Sequence, residues 1–254
     1  MKALVTGATG FTGGHLARHL RRQGFDVAAL VRPSSLNRTD ALKREGVEIR
    51  VGDLTDAAAV RAACEGIDIV FHIAATYREA GQSDAAYTRI NVDGTRNVLE
   101  GALAHRVKRV VHCSTGGVHG HIEHPPANEN APFAPGDVYQ RTKLEAELLA
   151  ARFGRERGLE VVVARPIGIY GPGDLRFLKM FRGIARGRFP MLGPGKVFYH
   201  LTYIDDLCRG FELCGTVPGA AGRTYILAGP EYTTLQRLVE LVAQELGVRP
   251  PWIR

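Results

Sequence analysis

Cysteine is scarce and scattered in this chain. Cys64, Cys113, Cys208 and Cys214 form no CxxC pair and have neither metal-ligand nor disulfide-framework spacing, so they are expected reduced and buried. The nine histidines form no HExxH or comparable cluster, and no metal site is expected. No apolar run approaches the roughly 18 residues needed to cross a bilayer. The opening Met1-Lys2-Ala3-Leu4-Val5-Thr6-Gly7 enters a strand-like run with no apolar leader or small-residue cleavage site. A cytoplasmic protein without a membrane partner is the expectation.

Lysine is also scarce: 27 of the 33 Lys and Arg residues are arginine, and the net charge is +7. These residues are spread along the chain with no nucleic-acid recognition motif, so no nucleic-acid partner is expected. A phosphorylated cofactor or substrate accounts for a local basic excess equally well. With 45% hydrophobic and 23% charged residues, composition excludes disorder.

Short apolar runs alternate with helix-length amphipathic segments from residue 2 to about 165, the pattern of repeated βα units. Strands are expected at Ala3 to Thr6, Asp26 to Val31, Val47 to Val51, Ile69 to Ile73, Arg109 to Ser114 and Glu160 to Ala164. Runs such as Val161-Val162-Val163-Ala164 are apolar throughout, which suits strands covered on both faces. Asp53-Leu54-Thr55-Asp56 offers a cap for a helix from Ala57 to Cys64, and Gly101, Gly154 and Gly158 are expected near helix ends or breaks.

After Pro166 the regularity changes, and residues 171–200 are rich in Gly, Pro and Arg. A helix near Asp205 to Cys214, a strand at Thr224 to Ala228 and a helix at Thr234 to Leu246 follow. The fold expected is α/β: a Rossmann doubly wound parallel sheet of six strands over 1–165, with a smaller C-terminal substrate lobe over 166–254. The chain stops at Pro250-Pro251-Trp252-Ile253-Arg254 where another element is expected, so a longer natural product is expected.

Thr6-Gly7-Ala8-Thr9-Gly10-Phe11-Thr12-Gly13 follows the first strand and opens a helix. In that position Gly7, Gly10 and Gly13 permit a tight turn and close backbone approach, and the helix N-terminus presents N–H groups to a pyrophosphate. The second strand ends in Val31-Arg32-Pro33-Ser34-Ser35, with no carboxylate to accept hydrogen bonds from both adenosine ribose hydroxyls. Arg32 suits a 2′-phosphate, with Ser34 or Ser35 adding hydroxyls, so NADP is favoured and NAD stays open.

Tyr139 and Lys143 stand four apart in a helix-forming stretch and project from one face. A nearby ammonium favours a phenolate, as a general acid/base near neutral pH requires. As a bare pattern YxxxK is weak; its weight comes from following a strand whose C-terminal end carries Ser114 and Thr115, where parallel sheets bind ligands. Thr115 is suited to polarise a substrate oxygen alongside Tyr139.

The sequence resembles the extended short-chain dehydrogenase/reductase family, which includes NAD-dependent epimerase/dehydratases. The resemblance covers nearly the whole chain. It rests on the glycine motif, Gly52-Asp53-Leu54, His72-Ile73-Ala74-Ala75, Asn91-Val92-Asp93-Gly94-Thr95, Ser114-Thr115, Tyr139 with Lys143, and Arg165-Pro166 leading to Tyr170-Gly171-Pro172-Gly173-Asp174. It implies cofactor contacts from Gly7, Gly10, Phe11, Thr12, Gly13, Arg32, Ser114, Tyr139 and Lys143. It also implies Asp53 and Leu54 at the adenine, Ile73, Ala74 and Ala75 along the cofactor, Asn91 supporting the site, and Pro166 and Ile167 beside the nicotinamide. Thr115, Tyr139 and Lys143 are the catalytic residues it implies, with a homodimer formed through helices near 82–104 and 137–153.

One departure concerns substrate. Nucleotide-sugar epimerases of the family usually place asparagine at the position of Gly168, where it helps hold the substrate diphosphate. Glycine there resembles the hydroxysteroid dehydrogenase branch, while Leu30-Val31-Arg32 resembles the dihydroflavonol reductase branch. Arg176, Lys179, Arg182, Arg186 and Arg188 nonetheless give the second lobe anion-binding capacity. Three readings stay open: a nucleotide-sugar epimerase or dehydratase, a reductase or dehydrogenase of a hydrophobic ketone or alcohol, and a non-catalytic dinucleotide sensor.

Overall fold

Strands apolar on both faces need a helix layer on each side, and the structure supplies them. It is a computed structural model that describes residues 1–77, 81–191 and 193–251. The first part of the chain runs β1 (Lys2–Thr6), α1 (Phe11–Arg22), β2 (Asp26–Val31), α2 (Asp40–Arg44), β3 (Glu48–Val51), α3 (Ala57–Ala63) and β4 (Ile69–His72). It continues through α4 (Asp84–Thr88), a wide turn at Arg89–Asp93, α5 (Gly94–Ala104), β5 (Arg109–Cys113), α6 (Val138–Arg157) and β6 (Glu160–Pro166). Then come β7 (Ile169–Tyr170), α7 (Leu178–Ala185), β8 (Phe198–His200), β9 (Thr202–Tyr203), α8 (Ile204–Thr216), β10 (Thr224–Leu227), β11 (Tyr232–Thr234) and α9 (Leu235–Glu245).

The main sheet has the order β3-β2-β1-β4-β5-β6-β10, parallel throughout. Alternate residues of one strand serve opposite layers: Ala3 and Val5 pack with Leu16 and Phe211 of α1 and α8, while Leu4 packs with Val98 and Leu99 of α5. The strand order reverses between β1 and β4, so the crevice where such sheets bind ligands opens at Thr6–Gly7 and His72–Ile73.

One expectation is corrected. The sheet has seven strands, because Thr224–Leu227 pairs with Val163–Pro166 along the open edge of β6. Residues 204–227, assigned from sequence to the second lobe, therefore lie in the sheet and its helix layer, with α8 packed on α1. A four-residue apolar run carries no mark of which sheet edge it will join. Gly101 and Gly154 lie in the last turns of α5 and α6, near the helix ends as expected; a Cβ on Gly101 would stand 3.2 Å from the Arg61 Cα, so this glycine allows α3 and α5 to touch. Gly158 does end α6, with φ 71°.

The second lobe is built on a small core of Ile184, Met191, Val239 and Ala243, with β8 and β11 paired antiparallel. No helix among the described residues is long and apolar enough to cross a membrane.

Candidate functional site

A cleft of about 640 Å³ opens at the switch point. Its walls bring together Gly7, Gly10, Phe11, Thr12, Gly13, Arg32, Asp53, Leu54, Ile73, Ala74, Ala75, Ser114, Thr115, Tyr139 and Pro166. These residues come from α1, α6 and the end of β6, and from the loops that follow β1, β2, β3, β4 and β5. Three expected residues stand behind the wall. Asn91 is buried, and its side chain accepts from Thr76 N (2.8 Å) and donates to Thr142 Oγ1 (3.0 Å), fixing the backbone of a lining residue. Ile167 packs against Gly116, where a Cβ would meet its Cγ2 at 2.1 Å. Lys143 is 2% exposed; burial lowers its pKa, opposed by Cys113 and Glu147.

The glycine loop fits a pyrophosphate on the evidence of its own donors. Gly10 caps α1 without a side-chain hydrogen bond, and the first turn contains no acidic residue. By contrast, Asp56, Asp137 and Thr234 accept backbone N–H groups at the starts of α3, α6 and α9. The N-terminal donors of α1 are thus uncommitted to any side chain and face the cleft. Arg38 donates to the Thr9 carbonyl of this loop at 2.7 Å, and Arg32 Nε donates to Ser35 Oγ at 3.1 Å, so both arginines border the same end.

At the other end, Thr115 Oγ1 accepts from Gly117 N at 3.1 Å, which leaves its hydroxyl proton for another acceptor. Tyr139 lies nearby on α6, its ring edge-on to Tyr77 at 4.9 Å. Behind them a buried network joins three elements. Ser114 Oγ donates to Glu147 Oε2 at 2.6 Å, and Arg165 Nε donates to the same oxygen at 3.1 Å. Arg165 Nη1 also donates to His119 Nε2 (3.0 Å) and to the Glu129 carbonyl (2.9 Å). Glu147 stands four residues beyond Lys143 on α6, so one helix face carries Tyr139, Lys143 and the carboxylate that anchors the ends of β5 and β6.

Several lining residues were not identified from sequence. Arg38, Thr76, Tyr77, Cys113, Ile169 and Phe177 reach the cleft from loops or strand ends with no motif to mark them. Burial pushes the Cys113 thiol up to about 11, which makes it a weak nucleophile. Arg176, expected to be an anion binder, is held by Asp174, whose Oδ1 accepts from Nε at 2.8 Å. No cluster of metal-ligating side chains occurs among the described residues.

The profile of the NAD-dependent epimerase/dehydratase family matches residues 3–228. The chain is 33% identical to the dTDP-glucose 4,6-dehydratase of Streptomyces antibioticus, with 98% of this chain and 78% of that protein covered. It is 35% identical to the 2-alkyl-3-oxoalkanoate reductase of Stenotrophomonas maltophilia (strain K279a), with 97% of this chain and 76% of that protein covered. The structure of MoeE5 in complex with UDP-glucose and NAD superposes with a TM-score of 0.84 at 28% identity, covering all of this chain and 84% of that one. Glycine loop, switch-point cleft and sequence match agree: the chain belongs to the NAD-dependent epimerase/dehydratase family of extended short-chain dehydrogenase/reductase enzymes.

Proposed function

We propose that this enzyme moves a hydride between a nicotinamide dinucleotide and a secondary alcohol or ketone, with Tyr139 exchanging the proton. The observation that carries this reading is the convergence of Thr115 and Tyr139 on one end of the cleft, opposite the uncapped helix N-terminus of α1. When bound, the dinucleotide supplies or accepts the hydride. In the reducing direction Thr115 donates a hydrogen bond to the ketone oxygen and Tyr139 delivers its hydroxyl proton there, giving the alcohol. Lys143, buried on the same helix face, holds the nicotinamide ribose and favours the phenolate. Gly7, Gly10, Phe11, Thr12 and Gly13 hold the pyrophosphate, Asp53 and Leu54 the adenine, and Ile73, Ala74, Ala75, Ser114 and Pro166 the remainder. Asn91 and Ile167 support that wall from behind.

NADP is the preferred cofactor in this reading. Arg32 and Arg38 border the adenosine end, and no carboxylate follows Val31.

The substrate is a hydrophobic ketone or alcohol. Dehydration would need a second acid–base pair near the nicotinamide, yet Gly116 and Gly117 follow Thr115, and Asp53 is the one carboxylate lining the cleft among the described residues. At Gly168 the backbone has φ +46°, and a Cβ would stand 2.1 Å from the His200 carbonyl oxygen, so the asparagine of nucleotide-sugar epimerases has no room. A nucleotide-sugar substrate is the second reading, favoured by the similarity to dTDP-glucose dehydratase and to the UDP-glucose complex.

The test has two parts. Dinucleotide released on denaturing the purified protein is identified, and NADPH and NADH are then titrated by fluorescence. Turnover is next assayed with a 2-alkyl-3-oxo acid, a steroid ketone and UDP-glucose. An empty site, tighter NADPH binding and ketone reduction support the first reading; retained NAD with UDP-glucose turnover supports the second. Tyr139→Phe abolishes turnover and leaves binding nearly intact if the roles are right; undiminished turnover removes them. A homodimer through the helices near 82–104 and 137–153 belongs to the same proposal and is tested by light scattering.

A further inference from the structure

Phe11 is the first residue of α1, so whatever rests on its ring stands beside the helix N-terminus. The Arg176 guanidinium lies over that ring, 5.5 Å from its centroid. It arrives from the loop between β7 and α7, in the second lobe, and is fixed in place there. Asp174 accepts from Nε at 2.8 Å and from Nη2 at 3.1 Å, and the Ile169 carbonyl accepts from Nη2 at 2.7 Å. The same loop touches α1 a second time, one turn further along: His15 Nε2 donates to the Pro172 carbonyl at 3.0 Å. Arg176 and Tyr77 also share a side-chain hydrogen bond, and the Tyr77 ring meets Tyr139 edge-on at 4.9 Å. Four side chains, Phe11, Arg176, Tyr77 and Tyr139, therefore form a continuous row from the phosphate end of the cleft to its reacting end, and all four line it.

Asp174 neutralises the guanidinium, so long-range attraction is not its contribution. What remains is cover: a planar group stacked on an aromatic ring, with donors held at the helix N-terminus where an anion is bound. A pyrophosphate seated on the glycine loop would lie beneath this row, and nothing in the glycine motif itself closes that side.

We infer that Arg176 is a dinucleotide-binding residue that closes the cleft over the pyrophosphate and sets the rate at which the cofactor leaves. This rests on the reading of the cleft as a dinucleotide site. Closure from the second lobe also means that substrate, which that lobe contacts, and cofactor share one gate.

The test is stopped-flow fluorescence with NADPH and NADH, measuring association directly and release by chase with excess oxidised dinucleotide. In Arg176→Met, release is about tenfold faster or more, association stays within about threefold, and Tyr77→Phe gives a smaller acceleration. Unchanged release in Arg176→Met overturns the inference, as does slower association with normal release, which would mark simple charge steering. Should Arg176→Met lose its fold, judged by thermal melting, His15→Ala and Tyr77→Phe decide in its place: faster release in both supports the gate, and unchanged release in both removes it. A wild-type protein that binds neither dinucleotide would overturn the cleft reading itself, a result distinct from normal release in the variants.

Discussion

The Thr6 hydroxyl and His72 Nδ1 lie 2.9 Å apart and lock the ends of β1 and β4 together at the switch point. Thr6 Oγ1 already accepts the N–H groups of Ile73 and Ala74, both at 3.1 Å, so its own proton goes to Nδ1. On the far side of the ring, Thr95 donates to the Asn91 carbonyl at 2.6 Å and accepts from His72 Nε2 at 2.9 Å. Every hydrogen in this chain is assigned by its partners, and the imidazole must be neutral with its proton on Nε2.

Acid should therefore unfold the protein through its buried histidines. Burial, reinforced by Lys143, pulls His72 down to about 3, and His112, whose ring nitrogens have no hydrogen-bond partner among the described residues, lies well below the ordinary value. Both are neutral when folded and protonate when unfolded, so the unfolded state binds more protons below about pH 6.5 and stability falls with pH. The slope approaches about 1.4 kcal/mol per pH unit for each histidine between pH 6 and 5. Urea unfolding at those two values checks this; equal stabilities would contradict it.

The buried pair of Glu147 and Arg165 should matter more to geometry than to stability. Replacing both by methionine keeps the melting temperature near wild type, whereas Glu147→Met alone strands a buried guanidinium and costs about 3–5 kcal/mol. Both forms are compared by denaturant unfolding. Because Ser114 and Pro166 flank the pair, the double variant should still lose turnover, and normal kcat would show that the pair does not position Thr115.

Thr115→Ala is expected to lower kcat about 100-fold with a small change in dinucleotide affinity, and Thr115→Ser to recover most of it. Steady-state kinetics with the proposed substrate class checks this; equal activity of the alanine variant would leave Tyr139 without its partner.

Arg32→Ala and Arg38→Ala should differ. Arg32 donates to Ser35 at the adenosine end and braces no part of the glycine loop among the described residues, so its loss weakens NADPH about tenfold or more while NADH changes little. Arg38 braces the Thr9 carbonyl, so its loss loosens the glycine loop and weakens both dinucleotides. Fluorescence titrations that find equal losses in both variants would remove the preference for NADP.

Gly168→Asn should not convert the enzyme into a nucleotide-sugar binder. The left-handed backbone and the His200 carbonyl oppose any Cβ, at a cost of about 1–3 kcal/mol. Thermal melting and UDP titration test it; a stable variant that gains UDP affinity would refute the steric account.

The sheet was legible in the sequence because its strands are apolar on both faces and because Asp56 marks the start of a helix. The cleft was legible where chemistry imposes a spacing, as in the glycine loop, and the interval from Tyr139 to Lys143 placed both on one face of α6, with Tyr139 alone of the two lining the cleft. What could not be read were contacts that depend on chain return. Arg38 and Arg176 sit in loops whose composition says only that they turn, and only folding brings them to Thr9 and Phe11. The edge strand β10 was read as a strand without its neighbour. Arg176 was read as one of several anion-binding residues because its tie to Asp174, two residues away, depends on the turn that begins at Gly171.

The return of β10 to the main sheet gives the second lobe an unusual attachment. The chain leaves after β6, comes back for α8 and β10, and leaves again, so the lobe consists of two separate arms held together by the β8–β11 pair and the packing of α7 on α9. A protease that cuts one arm, for instance at exposed Leu175, would sever the backbone without freeing a fragment. The nicked protein would elute intact from a sizing column and separate into two pieces only in denaturant.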